Sequence, residues 1–251
     1  MKWGRVEVDG RPVRVELKDA NPPESARWLP PVVPPNFYAA GLNFRAHIEW
    51  ANSRGGNYKV PEQADIGYRS NNALIGSGAD IVIPADSKGP VEYEGELVAV
   101  IGRLARDVPE ERALDYVAGY TLGNDVSERS WQKTDRTLWR AKNTDTFKPM
   151  GPLVVDGLDP TNLVIDVRIN GKTVSSYNTR GMVFSVAQYI SRMSRYVTLQ
   201  PDDVIWFGCD GPTLPALQPG DLVEVVNDAI GVLANRVRQA ASGPGGRVSS
   251  A

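Results

Sequence analysis

Between Tyr93 and Gly102 the chain reads Tyr-Glu-Gly-Glu-Leu-Val-Ala-Val-Ile-Gly, a mostly apolar run bounded by glycine that predicts a strand. Strand periodicity sends Glu94, Glu96, Val98 and Val100 to one face and Tyr93, Leu97, Ala99 and Ile101 to the other. Two carboxylates on one face admit two outcomes. Solvated glutamates at a half-exposed strand end are the commoner fate of charged residues on strands. A bound divalent cation is the rarer one, because like charges at adjacent same-face positions repel unless something positive lies between them. Either outcome commits this part of the chain to a sheet.

Similar signals recur along the chain. Arg5–Val8 and Val13–Leu17 alternate around Asp9-Gly10, which predicts a hairpin. Pro30, Pro31, Pro34 and Pro35 stiffen the connection that follows. Phe37 to Asn43 and Ile81 to Ile83 read as strands, whereas the stretch from Ala51 to Asp65 is polar and aperiodic, as in a mobile loop. Pro109 to Val117 opens with proline and acidic residues, as helices prefer, and Val183 to Met193 carries apolar residues at helical spacing. Leu163 to Ile169 alternates into the Asn170-Gly171 turn, and Leu222 to Val226 and Val232-Leu233 complete the strands. The expected class is therefore mainly β with some α, an α+β fold. With 251 residues, 41% of them hydrophobic, the chain suits one large domain with a small N-terminal appendage. The expected divisions are 1–36 for the hairpin and proline-rich connector, 37–240 for the main domain, and 241–251 for a disordered tail without core-forming residues.

Net charge is -2 with acids and bases interspersed, so no basic surface is available to track nucleic acid. The single cysteine, Cys209, excludes an internal disulfide and fits a reducing compartment. The first residues lack the apolar centre of a signal peptide, and no run approaches the ~20 apolar residues that span a bilayer. These features lead us to expect a cytoplasmic protein with neither a membrane nor a nucleic-acid partner.

A second acidic position lies in Gly119-Tyr120-Thr121-Leu122-Gly123-Asn124-Asp125, where a strand-like run ends in polar residues. Asn124-Asp125 alone is most often a turn. However, Asp125 follows Glu96 by 29 residues, enough for a helix and a returning strand to bring it beside the glutamates. Three carboxylates make an all-oxygen set suited to Mg²⁺ or Mn²⁺. Zinc fits poorly, because the one histidine and the one cysteine show no ligand spacing.

The chain resembles the fumarylacetoacetate hydrolase family in several ordered motifs. These are Tyr93-Glu94-Gly95-Glu96-Leu97 with Val100-Ile101-Gly102, Gly119-Tyr120-Thr121 through Asn124-Asp125-Val126-Ser127, and Lys142 through Asp145-Thr146-Phe147-Lys148-Pro149-Met150-Gly151-Pro152. Asn178-Thr179, Pro219-Gly220-Asp221 and Ile230-Gly231-Val232-Leu233-Ala234-Asn235 extend the resemblance, which runs from Phe37 to Val237. It implies a mixed β-sandwich roll, usually a homodimer, that binds one Mg²⁺ or Mn²⁺ through Glu94, Glu96 and Asp125. It also implies a small 2-oxo or 1,3-dicarbonyl acid as substrate. A cation there polarises a carbonyl and favours enolate formation when a carbon-carbon bond breaks or a proton leaves beside it.

The resemblance makes His47 the candidate base, with Gly41, Asn43 and Phe44 before it. Hydrolytic relatives carry a glutamate three residues after this histidine, where the present chain has Trp50; Glu49 is the nearby acid that could take the role. Lys142 is positioned to steady a developing oxyanion. Arg129 and Gln132 follow Asp125 closely enough to face one pocket, and a guanidinium suits a carboxylate. Thr179 and Cys209 complete the candidate substrate contacts, although Cys209 stands where many relatives have a hydroxyl, and Tyr68-Arg69 where they have Phe-x-Lys. The leading expectation is hydrolysis of a carbon-carbon bond in an acylpyruvate-like acid. Decarboxylation or tautomerisation follows, and a non-catalytic ligand-binding role is the alternative of another class.

Overall fold

The computed structural model describes residues 1–17, 27–211 and 213–241. The expected tail beyond Ala241 lies outside them. A ten-stranded mixed sheet forms the body, with the path Arg11–Leu17, Lys2–Val8, Lys148–Val155, Val117–Asn124, Gly95–Ile101, Val204–Trp206, Phe37–Ala40, Ile66–Tyr68, while Arg27–Leu29 pairs with Lys2–Val8 and Leu74–Ile75 with Lys148–Val155 off this path. A five-stranded sheet runs Lys172–Asn178, Val164–Ile169, Leu222–Asn227, Gly231–Gln239, Ile81–Ile83. Helices are few and short, the longest being Arg45–Ser53 and Val186–Ser194. The class is mainly β with some α, as the alternating runs indicate.

The Asp9-Gly10 hairpin forms, with both turn residues at positive φ (51° and 72°), the backbone twist that two-residue hairpins favour. It is not set apart from the body, because Lys2–Gly4 pairs with Leu153–Val155 and Trp3 is buried in the core. The hairpin signal marks where two strands turn; it carries no information about a third strand 150 residues away. Pro109–Val117 becomes a 3-10 helix over Glu110–Tyr116 rather than an α-helix, and the polar stretch after Ala51 begins inside the Arg45–Ser53 helix.

Gly95–Ile101 is the central strand and is buried along its whole length. Leu97, Ala99 and Ile101 pack with Ile165, Val225 and Leu233 of the second sheet, whereas Val98 and Val100 pack with Phe37, Met150, Val154 and Trp206. Each leucine, isoleucine and valine among them contributes about 1.5–3 kcal/mol by leaving water. A strand clad on both faces has no solvated end, so its glutamates enter the interior. Gly95 is required by the same packing: a Cβ there would lie 2.5 Å from Val167 Cγ2.

Candidate metal centre and catalytic site

Antiparallel register places Asn124 opposite Gly95 and Gly123 opposite Glu96, so Asp125 emerges beside Glu94. The Asp125 amide donates to the Glu94 carbonyl at 2.8 Å, and the Glu94 amide donates to Asn124 Oδ1 at 3.0 Å. One oxygen from each of Glu94, Glu96 and Asp125 lies within 4.8 Å of the others, and all three residues are buried. The turn reading of Asn124-Asp125 thus gives way to a strand end whose side chains converge on the glutamates.

Four cations surround this group. Lys142 Nζ reaches Glu94 at 2.7 Å and Asp125 at 2.8 Å. Arg69 Nη2 meets Asp125 Oδ2 at 2.9 Å, and Lys148 Nζ meets Asp125 Oδ1 at 2.6 Å. Arg129 bridges Glu92 and Glu94, 2.7 Å from each, and donates to Gln132 Oε1 at 2.8 Å. Burial raises the carboxyl pKa of Glu94, but Lys142 and Arg129 overcome it and hold the group down at about 2. Asp125 is likewise held well below the usual range, its desolvation outweighed by Arg69, Lys142 and Lys148. For Lys142, burial works against the charge, yet Asp125 and Glu94 keep the ammonium above its ordinary value.

Glu96 differs. Its hydrogen-bond donor is the Gly208 amide at 2.8 Å, and among the described residues no cationic side chain bridges to it. Burial, with the charges of Asp125 and Glu94, pushes it up to about 8. A divalent cation among the three carboxylates would supply the missing positive charge, so the donor set fits one.

His47 sits on the Arg45–Ser53 helix, whose entry is fixed by Asn43. The Asn43 amide donates to the Phe184 and Phe207 carbonyls, each at 3.2 Å, and its Oδ1 accepts from the Phe184 amide at 3.0 Å. His47 Nδ1 lies 3.1 Å from the Cys209 carbonyl. Gly208 and Cys209, adjacent in the chain, therefore tie Glu96 and His47 to one loop. Burial lowers the imidazole pKa, with Glu94 opposing, so the ring is neutral near pH 7.

The other candidates divide. Glu49 is exposed; it is two residues from His47, a spacing that puts side chains on different sides of a helix. Trp50 takes the shared side, its ring 5.7 Å from the imidazole and edge-on. The Cys209 thiol is buried and pushed well above its usual range by desolvation, so this residue meets His47 through its carbonyl. Thr179 is paired with Leu163: its hydroxyl accepts from the Leu163 amide at 2.9 Å, and it lines a cleft with Leu114, Pro160 and Met182. Gln132 reaches the group through Arg129. The sequence reading did not single out Lys148 or Glu92, and it treated Arg69 only as a departure from relatives. A lysine opening the buried strand Lys148–Val155 was the available signal.

Residues 36–238 match the family described as fumarylacetoacetate (FAA) hydrolase C-terminal. The rat mitochondrial oxaloacetate tautomerase Fahd2a is 34% identical over 86% of this chain and 71% of its own length. The 5-carboxymethyl-2-hydroxymuconate delta-isomerase of Mycobacterium smegmatis superposes with a TM-score of 0.84 at 31% identity, covering 95% of this chain and 100% of its own. The fumarylacetoacetate hydrolase of Exiguobacterium antarcticum superposes with a TM-score of 0.81 at 29% identity, covering 95% and 99%. This chain belongs to the fumarylacetoacetate hydrolase family.

Proposed function

We propose that this protein is a Mg²⁺- or Mn²⁺-dependent enzyme that moves a proton beside the carbonyl of a small 2-oxo acid, as a tautomerase or isomerase. The observation that carries this reading is Trp50 against His47. The base has an indole edge where hydrolytic relatives place a carboxylate, and Glu49 points to solvent. An apolar ring beside the imidazole does not orient or polarise water, whereas proton transfer to carbon needs only a neutral base. Hydrolysis, the leading expectation from the sequence, depends on the feature this chain lacks.

A divalent cation at Glu94, Glu96 and Asp125 would draw electron density from the substrate's carbonyl oxygen. His47 then takes a proton from the neighbouring carbon through Nε2 and returns it at a different atom. Lys142, already beside two of the carboxylates, offsets the negative charge that develops on oxygen. A tautomerase, an isomerase and a hydrolase all stand among the similar proteins, and the surroundings of His47 favour the first two.

Proton NMR in deuterated water with Mg²⁺ and a panel of 2-oxo acids tests the reading. Exchange at the carbon beside the carbonyl, without cleavage, is expected. Carbon-carbon cleavage with ¹⁸O from labelled water in the released acid would replace it with hydrolysis. No exchange or turnover with metal verified as bound would favour a ligand-binding role.

A further inference from the structure

Thr146 is buried, and its backbone is left-handed, with φ at 72°. A β-branched side chain crowds its own backbone there, where glycine or asparagine sits with less strain. Such a conformation persists only where the surroundings over-determine it. Two contacts do so here. The Thr146 hydroxyl accepts from the Val82 amide at 2.8 Å, in the edge strand Ile81–Ile83 of the five-stranded sheet. The next side chain, Phe147, is fully buried and packs in one cluster with Ile81, Tyr93 and Val126.

Two lysines flank this turn. Lys142 precedes it on the Trp139–Asn143 helix, and Lys148 follows it at the start of Lys148–Val155. Lys142 Nζ donates to Asp125 Oδ2 at 2.8 Å and Lys148 Nζ meets Asp125 Oδ1 at 2.6 Å, so the pair grips both oxygens of one carboxylate. The Phe147 carbonyl, next along the turn, accepts from the Lys148 ammonium at 2.8 Å and from the Val126 amide at 3.1 Å, one residue beyond Asp125. Side chain and main chain at Asp125 are thus both held through the turn at Thr146.

We propose that Thr146 is a positioning residue for the metal centre: its hydroxyl, locked on Val82, keeps the left-handed turn that aims Lys142 and Lys148 at Asp125, and so fixes how Asp125 meets a divalent cation. This rests on the reading that Glu94, Glu96 and Asp125 hold such a cation. Without the hydroxyl, the Val82 amide loses its acceptor and a β-branched residue relaxes toward the ordinary negative φ, carrying the lysines with it. A tie that served stability alone would leave the surroundings of the ion unchanged.

Calorimetric titration with Mn²⁺ and the electron paramagnetic resonance of bound Mn²⁺ test this in Thr146→Val, which keeps the shape and loses the hydroxyl, and in Thr146→Ser, which keeps the hydroxyl. Mn²⁺ should bind Thr146→Val about tenfold more weakly, as on loss of other partners that orient metal ligands, and its spectrum should change. Thr146→Ser should stay within about twofold of the native protein. If Thr146→Val does not fold, Thr146→Gly, which enters the left-handed region without strain, gives the same comparison. A folded variant without the hydroxyl that melts at a lower temperature yet binds Mn²⁺ with native affinity and spectrum overturns the inference. So does a serine variant as weak as the valine one. Native protein that binds Mn²⁺ but exchanges no proton beside a carbonyl sinks the tautomerase reading and leaves this result standing. Native protein that binds no Mn²⁺ rejects the metal site and this inference together.

Discussion

His47 Nδ1 lies 3.1 Å from the carbonyl oxygen of Cys209, an atom that only accepts. In the neutral ring the proton therefore resides on Nδ1, and Nε2 keeps its lone pair. A backbone carbonyl fixes the tautomer that a carboxylate fixes in a His-acid dyad. Because burial lowers the imidazole pKa below 6.5, the active neutral form persists from pH 8 down to that value. The profile of kcat/KM should be flat across this range and fall only below about pH 6.5. His47→Gln should reduce kcat by about 10²–10⁴ and remove the acid limb. An acid limb surviving in that variant would assign the base elsewhere.

Trp50 occupies the position on the Arg45–Ser53 helix that shares a side with His47. Trp50→Glu places a carboxylate there, which should raise the imidazole titration and introduce hydrolysis of an acylpyruvate. Histidine titration by NMR and release of the cleaved acid report these separately. An unchanged titration would mean that the new carboxylate points away.

Glu96 prefers its protonated form in the folded, metal-free protein, between its ordinary value of 4.5 and about 8. Its contribution to stability is intact below pH 4.5 and is lost as pH climbs through 8. Thermal melts without metal should show stability falling across that window, and Mg²⁺ or Mn²⁺ should restore it. Glu96→Gln should flatten the dependence and abolish the metal's stabilising effect. A pH-dependent loss that persists in Glu96→Gln would assign it to another group.

Gly95 separates the two glutamates and meets Val167 and Val225 of the opposite sheet. Gly95→Ala forces a methyl to within 2.5 Å of Val167 Cγ2, which should cost about 1–3 kcal/mol in denaturant unfolding. Metal affinity should fall with it, since the sheets diverge at the ligands. Pairing the change with Val167→Ala should recover part of both losses.

Much of this protein was legible in its sequence. The alternation around Glu94 and Glu96, the hairpin at Asp9-Gly10 and the helical spacing before Met193 each depend on neighbours a few residues apart, and local backbone sterics decide them. The carboxylate group was readable as well, because the spacing allows Asp125 to return beside the glutamates and the family resemblance adds it to them. Its surroundings were not. Whether Glu94 and Glu96 faced water depended on the second sheet covering Leu97 and Ile101, and on Val154, Trp206 and Met150 covering the other face.

The charges around the acids come from other segments of the chain. Arg69, Lys142 and Lys148 reach Asp125 from three separate segments, and nothing within each segment marks the oxygen it meets. The sequence supplied the acids and the one histidine, since those are matters of residue type and short-range period. Only the tertiary structure decided that Trp50 rather than Glu49 lies beside His47, that Cys209 contributes a carbonyl instead of a thiol, and that Glu96 has no cationic partner among the described residues. Helix phase, loop path and burial set these, and all three result from packing between elements distant in the chain.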